Sequence, residues 1–201
     1  MEGLDTMHRR RFLKSLVGVA GLSLPGCMTG TPPATFDLAS TQAVSAKRRA
    51  VSNTIVVAMP DTIKTLETER ILVREKGGEL SFLPGAQWSD TLPRLIQTRL
   101  IQSFENADIR NVGRPSDKLA ATLAVLLDIR AFELDASSNT QAVVSIGAKL
   151  VNERSGKVIA SQIFSAQQPA SFTPTSNATA ALDLALGRVL TDIVSWAAKR
   201  A

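Results

Sequence analysis

The chain has 201 residues and a formal net charge of +5, a length sufficient for one domain with its own hydrophobic core. Its one histidine, His8, and its one cysteine, Cys27, lie near the amino terminus, and it contains no tyrosine. Past Cys27, the residues therefore cannot build a Ser-His-Asp site, a Cys-His site or a zinc site with nitrogen and sulfur ligands. Arginines and aromatic residues do not cluster as in single-strand binders, so we predict no nucleic-acid partner, and we expect no catalytic residue, metal site or cofactor.

The first predicted element is an export signal over residues 1–26. A positively charged stretch precedes a short apolar run, Leu16 to Leu24, which is shorter than the roughly 20 apolar residues that span a bilayer. The charged stretch resembles the twin-arginine export pattern, which a receptor reads and which is not itself an anchor. The residues that match this pattern are Arg9, Arg10, Phe12, Leu13 and Lys14.

Cys27 follows the apolar run in the sequence Leu24-Pro25-Gly26-Cys27, which resembles a bacterial lipobox. In such a signal the cysteine becomes the first mature residue and carries acyl chains such as palmitate, and two or more chains anchor a domain stably. The alternative is a plain secretory signal with an incidental cysteine. Residues 27–35 are predicted to form the lipidated cysteine and a flexible tether, and Met28 after the cysteine favours the outer membrane.

Residues 36–201 are predicted to form a single domain, and its first half reads as strands followed by a helix. Residues 36–38 predict an edge strand, and the continuous apolar run at 54–59 predicts a central strand covered on both faces. Residues 69–75 and 79–83 flank a Gly-Gly turn and predict a hairpin. Apolar residues recur at helical spacing from Trp88 to Ala107, with Ser89 or Asp90 as the expected N-cap.

The second half predicts three longer strands and a last helix. Residues 109–113 read as a short strand, and residues 121–135 as a long strand whose apolar alternation changes parity. We predict a bulge near Ala131, because one extra residue keeps Phe132 and Leu134 facing inward; the alternative is an exposed apolar patch. Residues 141–152 and 157–166 predict a strand pair, and residues 176–199 a helix. The fold class is therefore α/β (α+β), a mixed and largely antiparallel sheet with two amphipathic helices packed on it.

Three residues are candidates for contact with a partner protein: Arg70, Arg74 and Trp88. The two arginines flank an apolar strand, where they could meet acidic groups of a partner or blunt an exposed strand edge. Trp88 could belong to a docking surface or be the first core residue of its helix. Neighbouring apolar residues, Ile71, Val73, Leu80 and Phe82, could be core or could line a shallow lipid-accepting groove.

Short segments in the same order resemble the ABC-type transport auxiliary lipoprotein family, which includes the lipoprotein of the paraquat-inducible intermembrane transport system. They are Cys27, Phe36-Asp37-Leu38, the strand Ile55 to Met59, Arg70-Ile71-Leu72-Val73-Arg74, Trp88-Ser89-Asp90-Thr91-Leu92, and the helix through Gln97, Leu100 and Phe104. The resemblance implies a non-catalytic docking component of a lipid transport system. The implied partners are a periplasmic mammalian-cell-entry (MCE) domain protein, its ABC permease and ATPase, the membrane through acylated Cys27, and phospholipid. The implied location is the periplasmic side of the outer membrane.

Two other functional classes stay open on the residues alone. One is a stand-alone lipid-binding carrier that is anchored to the membrane but has its own apolar pocket. The other is a Ser-Lys hydrolase, since serine and lysine are present in the predicted domain.

Overall fold

The computed structural model describes residues 32–39 and 53–201. The predicted export signal, with Arg9, Arg10, Phe12, Leu13 and Lys14, lies outside the described residues, and so does Cys27. None of the helices within the described ranges is both long enough and apolar enough to cross a membrane.

The described residues form nine strands and two α-helices. The strands are β1 (Ala34–Phe36), β2 (Ile55–Val57), β3 (Asp61–Thr62), β4 (Arg70–Arg74), β5 (Leu80–Trp88), β6 (Val112–Gly113), β7 (Leu123–Asp135), β8 (Gln141–Asn152) and β9 (Val158–Pro169). The helices are α1 (Leu92–Asn106), between β5 and β6, and α2 (Thr175–Ala198), after β9. One mixed sheet and two main helices confirm the predicted fold class.

The sheet is organised around β7. One edge of β7 pairs along its whole length with β8, which pairs in turn with β9, and both pairings are antiparallel. The other edge pairs in parallel with β2, then β3, then β4. Beyond β2 lies β6, and beyond β4 lie β5 and then β1. The shorter strands therefore form one group at each end of β7, and β3 pairs with its middle.

β2 is buried on both faces, as its continuous β-branched sequence predicts. Ile55, Val56 and Val57 are all buried, and β2 lies between β6 and β7 in parallel register. The predicted hairpin is also present: β4 and β5 pair antiparallel around Gly77 and Gly78, both of which have positive φ values. A glycine adopts that conformation without steric cost.

A bulge interrupts β7 at Arg130. Ile129 pairs with Ile146 and Ala131 pairs with Ser145, so Arg130 is the one extra residue on the β7 side. Because of this insertion, Ile129 and Phe132 are both buried on the same side of the sheet. The predicted bulge is confirmed, and the exposed apolar patch proposed as its alternative is absent from this strand.

α1 begins later than its apolar spacing predicts. Trp88 is the last residue of β5, and the N-cap of α1 is Thr91, whose side chain makes no capping hydrogen bond. The carboxylate of Asp90 instead accepts a hydrogen bond from the backbone N–H of Thr91 at 2.7 Å. The expected cap at Ser89 or Asp90 is therefore wrong, because strand pairing of Trp88 with Phe36 extends β5 up to that point.

Both helices pack on the same side of the sheet and bury the main core there. The apolar stripe of α2 is buried as predicted; it comprises Leu182, Leu186, Val189, Ile193, Trp196 and Ala197. Trp196 meets Phe164 of β9 edge to face at 5.7 Å, and Trp88 meets Phe132 of β7 in the same way at 5.8 Å. Neither α1 nor α2 packs on the opposite side of the sheet.

Candidate functional site

The alternation of β4 divides its residues between the two sides of the sheet. Ile71 and Val73 are buried on the helix side, so Arg70, Leu72 and Arg74 project on the other side. We call that second side the open face. It carries Arg70, Arg74, Leu80, Phe82, Leu126 and Glu133, which the strand registers place on the same side of the sheet.

Arg74 forms an ion pair within the chain. Its Nε and Nη2 atoms donate to the two carboxylate oxygens of Glu133 on β7, at 2.6 and 2.9 Å. Glu133 is 8% exposed and Arg74 is 39% exposed, so the pair is half-buried. The hydrogen bond to Glu133 raises the pKa of the Arg74 guanidinium further above its usual value. Only the solvent-facing part of the Arg74 guanidinium is therefore accessible from outside the chain.

Arg70 is also held in place, but by an aromatic ring. Its guanidinium carbon lies 3.7 Å from the centre of the Phe82 ring on β5, which is cation–π geometry. None of the ion pairs among the described residues includes Arg70. Arg70 is therefore a positioned and exposed cation without an acidic partner in the described part of the chain.

Two exposed leucines add apolar surface to the open face. Leu80 on β5 and Leu126 on β7 are each 40% exposed. Leu126 pairs with Lys149 of β8, which is exposed as well. The open face thus combines exposed aliphatic groups with the cations Arg70 and Lys149, and the aliphatic groups and Arg70 suit contact with another protein.

The three predicted contact residues occupy different environments. Arg70 and Arg74 share the open face, whereas Trp88 is 1% exposed and packs against Phe132 on the helix side. Trp88 is thus a core residue and does not contact a partner directly in this fold. β4 lies between β5 and β7, so the alternative that the arginines blunt a strand edge does not hold. Ile71 and Val73 are core, and Leu80 and Phe82 lie on the open face.

The segment before the first gap in the described residues is fixed to both helices. β1 begins at Ala34, within the predicted tether of residues 27–35. Asp37 forms an ion pair with Arg99 of α1 and accepts a hydrogen bond from Ser89, and Asp183 of α2 accepts one from the backbone N–H of Ala39.

The ionisation of Asp37 reflects these contacts. Burial opposes the charged form, but the hydrogen bonds from Arg99, from the backbone N–H of Leu38 and from Ser89 outweigh it. The pKa of Asp37 is therefore lower than usual. The carboxylate connects the first described segment of the chain to α1.

Two surface clefts offer other binding geometries. A cleft of about 560 Å³ beside α1 is lined mostly by polar residues; they are Asp90, Arg94, Gln97, Thr98, Arg114 and Ser116, with Met59 and Pro115. Arg114 donates to the hydroxyl of Thr98 at 3.0 Å. A smaller cleft of about 300 Å³ lies between β9 and α2. Polar and charged residues outnumber apolar ones in the lining of both clefts.

The described residues contain no group of three or more acidic, histidine or cysteine side chains placed to hold a metal ion. Sequence reasoning missed two open-face residues, Glu133 and Leu126. The exposure of Leu126 could have been predicted, because Leu126 alternates with the buried residues Val125 and Leu127 and so faces the other side of the sheet. The pairing of Glu133 with Arg74 had no such signal, because 59 residues separate them in the chain.

Comparison with known proteins identifies the relatives of this chain. The sequence model of the ABC-type transport auxiliary lipoprotein component matches residues 36–194. An uncharacterized protein of Bradyrhizobium diazoefficiens is 31% identical over 163 residues, which cover 81% of this chain and 44% of that protein, so this chain spans less than half of that relative's length.

Two solved structures resemble the fold. The crystal structure of protein XCC0632 from Xanthomonas campestris has a TM-score of 0.75 and 28% identity, and the match covers 83% of this chain and 95% of that one. A second crystal structure, of an uncharacterized protein, has a TM-score of 0.61 and 10% identity, with 85% of this chain and 99% of that one covered, and shows likeness of fold alone. The family match begins at Phe36, the last residue of β1, and extends through most of α2. This chain therefore belongs to the ABC-type transport auxiliary lipoprotein family.

Proposed function

We propose that this protein is a non-catalytic, lipid-anchored docking subunit of an MCE-type ABC transport system that moves lipid between membranes. In this proposal Cys27 carries the acyl chains after removal of residues 1–26, and the domain stands on the periplasmic side of the outer membrane. The observation that carries the proposal is the family match over residues 36–194, which follows directly on a lipobox-like cysteine and a short tether.

The open face is the proposed contact surface for the MCE-domain protein. It presents Leu80 and Leu126 at 40% exposure and the stacked cation of Arg70, and neither α1 nor α2 packs on it. Arginine is enriched at protein interfaces, and exposed apolar patches commonly mark interaction sites. The Arg74–Glu133 pair stabilises the centre of this face and keeps β4 aligned with β7.

The anchor is tested by the Cys27→Ser variant, which lacks the thiol that acylation needs. In cells fed an alkyne analogue of palmitate, the original chain should label and sediment with envelope membranes. The variant should do neither, while its domain still unfolds at the same urea concentration. Equal labelling of the two proteins would contradict the proposed anchor.

The docking surface is tested with a photo-crosslinking amino acid placed at Leu80, at Leu126 or, as a control, at Leu184. Leu184 lies on α2 and is 62% exposed, so it offers an exposed leucine away from the open face. Adducts with the MCE-domain protein are expected from Leu80 and Leu126 only. Adducts from all three positions, or from Leu184 alone, would exclude the open face as the contact surface.

A further inference from the structure

β9 is a long strand with a free edge. Within the described ranges it pairs only with β8, so the backbone groups on its other side have no strand partner over Val158–Pro169. The strands at the other sheet edges are much shorter, since β1 has three residues and β6 has two. A free edge of twelve residues can accept a further strand.

The sequence of β9 lacks the usual protection against such pairing. Natural edge strands are commonly interrupted by charged side chains, inner prolines or strong bulges. β9 contains no charged residue, its one proline is its last residue, and its one irregularity lies at its beginning, opposite Leu150 and Val151. Its side chains include three exposed aliphatic ones, Val158, Ile159 and Ile163, the last being 54% exposed.

Cations surround this uncharged edge. Lys157 immediately precedes β9, and Lys199 and Arg200 line the cleft between β9 and α2. None of these three side chains forms an ion pair within the described ranges, and one acidic residue, Asp192, lines the same cleft. The edge therefore favours a segment that brings negative charge.

The positions of the cations and of the exposed aliphatic side chains determine which residues of an added strand should be acidic and which should be apolar. Side chains of a strand alternate between the two sides of the sheet. On the helix side, a strand added to β9 would meet the cleft with Lys199 and Arg200. On the open side, it would meet Ile163, which pairs with Gly147 and shares the side of Asp128. The matching segment has acidic residues on the first side and apolar residues on the second.

We propose that the free edge of β9 binds, by strand addition, an extended segment of a partner protein in which acidic and apolar residues alternate. Residues 40–52 of this chain match poorly, since they carry three basic and no acidic residues. A second copy also matches poorly, because its own β9 offers no negative charge and the chain has a net charge of +5. The site is separate from Leu80 and Leu126, and the proposal does not require an MCE-domain partner.

The probe for this proposal is a fluorescein-labelled dodecapeptide of alternating valine and glutamate, measured by fluorescence polarisation against the full protein in detergent. Saturable binding is expected. A peptide of the same length with two central prolines, which cannot donate to a strand ladder, and a valine–lysine peptide should each bind at least about tenfold more weakly. Equal binding by the proline peptide, or no binding of the valine–glutamate peptide, would overturn strand addition at β9.

Two protein variants locate the binding site. Ile163→Asp places a negative charge at the edge and Lys199→Glu reverses a cleft cation, so each should weaken valine–glutamate binding by about tenfold. Leu184→Asp, the same kind of change at a 62% exposed position of α2, should leave binding unchanged. Unchanged affinity in Ile163→Asp overturns the proposal. Self-association that Ile163→Asp abolishes and the peptide does not displace would assign the edge to a second copy instead.

Discussion

Deleting Arg130 tests whether the bulge in β7 is what keeps both halves of this strand facing the core. Arg130 is the extra residue between Ile129 and Ala131, which pair with consecutive residues of β8. Its removal leaves regular alternation, so that Phe132 and Leu134 still face the helices and Glu133 still faces the open side. The deletion is therefore expected to be tolerated.

The expected cost follows from what Arg130 contacts. Its Nε lies 3.0 Å from Asp128, and both side chains are about half exposed, so this ion pair contributes little. Its guanidinium also lies over Gly147, where a Cβ would come within 3.2 Å of Nε. We expect a loss of about 1 kcal/mol in the free energy of unfolding, near the centre of the distribution for single mutations in proteins.

Deleting Leu126 is the matched control, since it also removes one residue of β7 that projects on the open face. Leu126 lies within a regularly paired stretch of β7. Its deletion therefore reverses the inward and outward alternation on one side of the deletion, and Leu123 and Val125 turn away from the core. Each of these buried side chains contributes about 1.5–3 kcal/mol, which gives a loss of roughly 3–6 kcal/mol. That loss approaches the whole stability of a typical domain, about 5–15 kcal/mol.

Urea denaturation followed by tryptophan fluorescence measures both deletions, because Trp88 packs against Phe132 next to the bulge. The Arg130 deletion should unfold in one transition at a slightly lower urea concentration than the original chain. The Leu126 deletion should be strongly destabilised or unfolded. Equal losses in the two variants, or a larger loss on deleting Arg130, would refute the reasoning.

Three further predictions concern the core and the ion pairs. Phe132→Ala should lower the free energy of unfolding by about 3–5 kcal/mol in urea titration, because the fully buried ring packs against Trp88. Glu133→Gln should cost about 1–2 kcal/mol, less than for a fully buried pair because Arg74 is partly solvated, and a double-mutant cycle with Arg74→Gln should give a non-zero coupling energy. The pKa of Asp37 is lowered in the folded chain. Its stabilising contribution is therefore present above its unfolded pKa of about 3.9 and is lost as the pH falls through its folded pKa. Between pH 7 and pH 3, the urea midpoint of Asp37→Asn should therefore drop less than the midpoint of the original chain.

The sequence alone predicted the features that depend on local spacing. The continuous apolar run of β2, the Gly-Gly turn of the hairpin and the periodic apolar stripe of α2 can each be read within one short segment, and each is found in the structure. The bulge was predictable for the same reason, because one inserted residue turns the apolar side chains inward again after a change of parity within one strand. The lipobox-like motif at Cys27 is likewise a local pattern, and it stays a prediction.

The tertiary structure decided which surfaces are free and which charges are paired. Arg70 and Arg74 are equivalent in sequence, yet one stacks on Phe82 and the other binds Glu133, because strand order brings β4 between β5 and β7. The same order leaves β9 at an edge. Periodicity specifies how a segment faces the core, whereas the neighbours of a segment depend on pairing between residues far apart in the chain, and the local pattern does not encode that pairing.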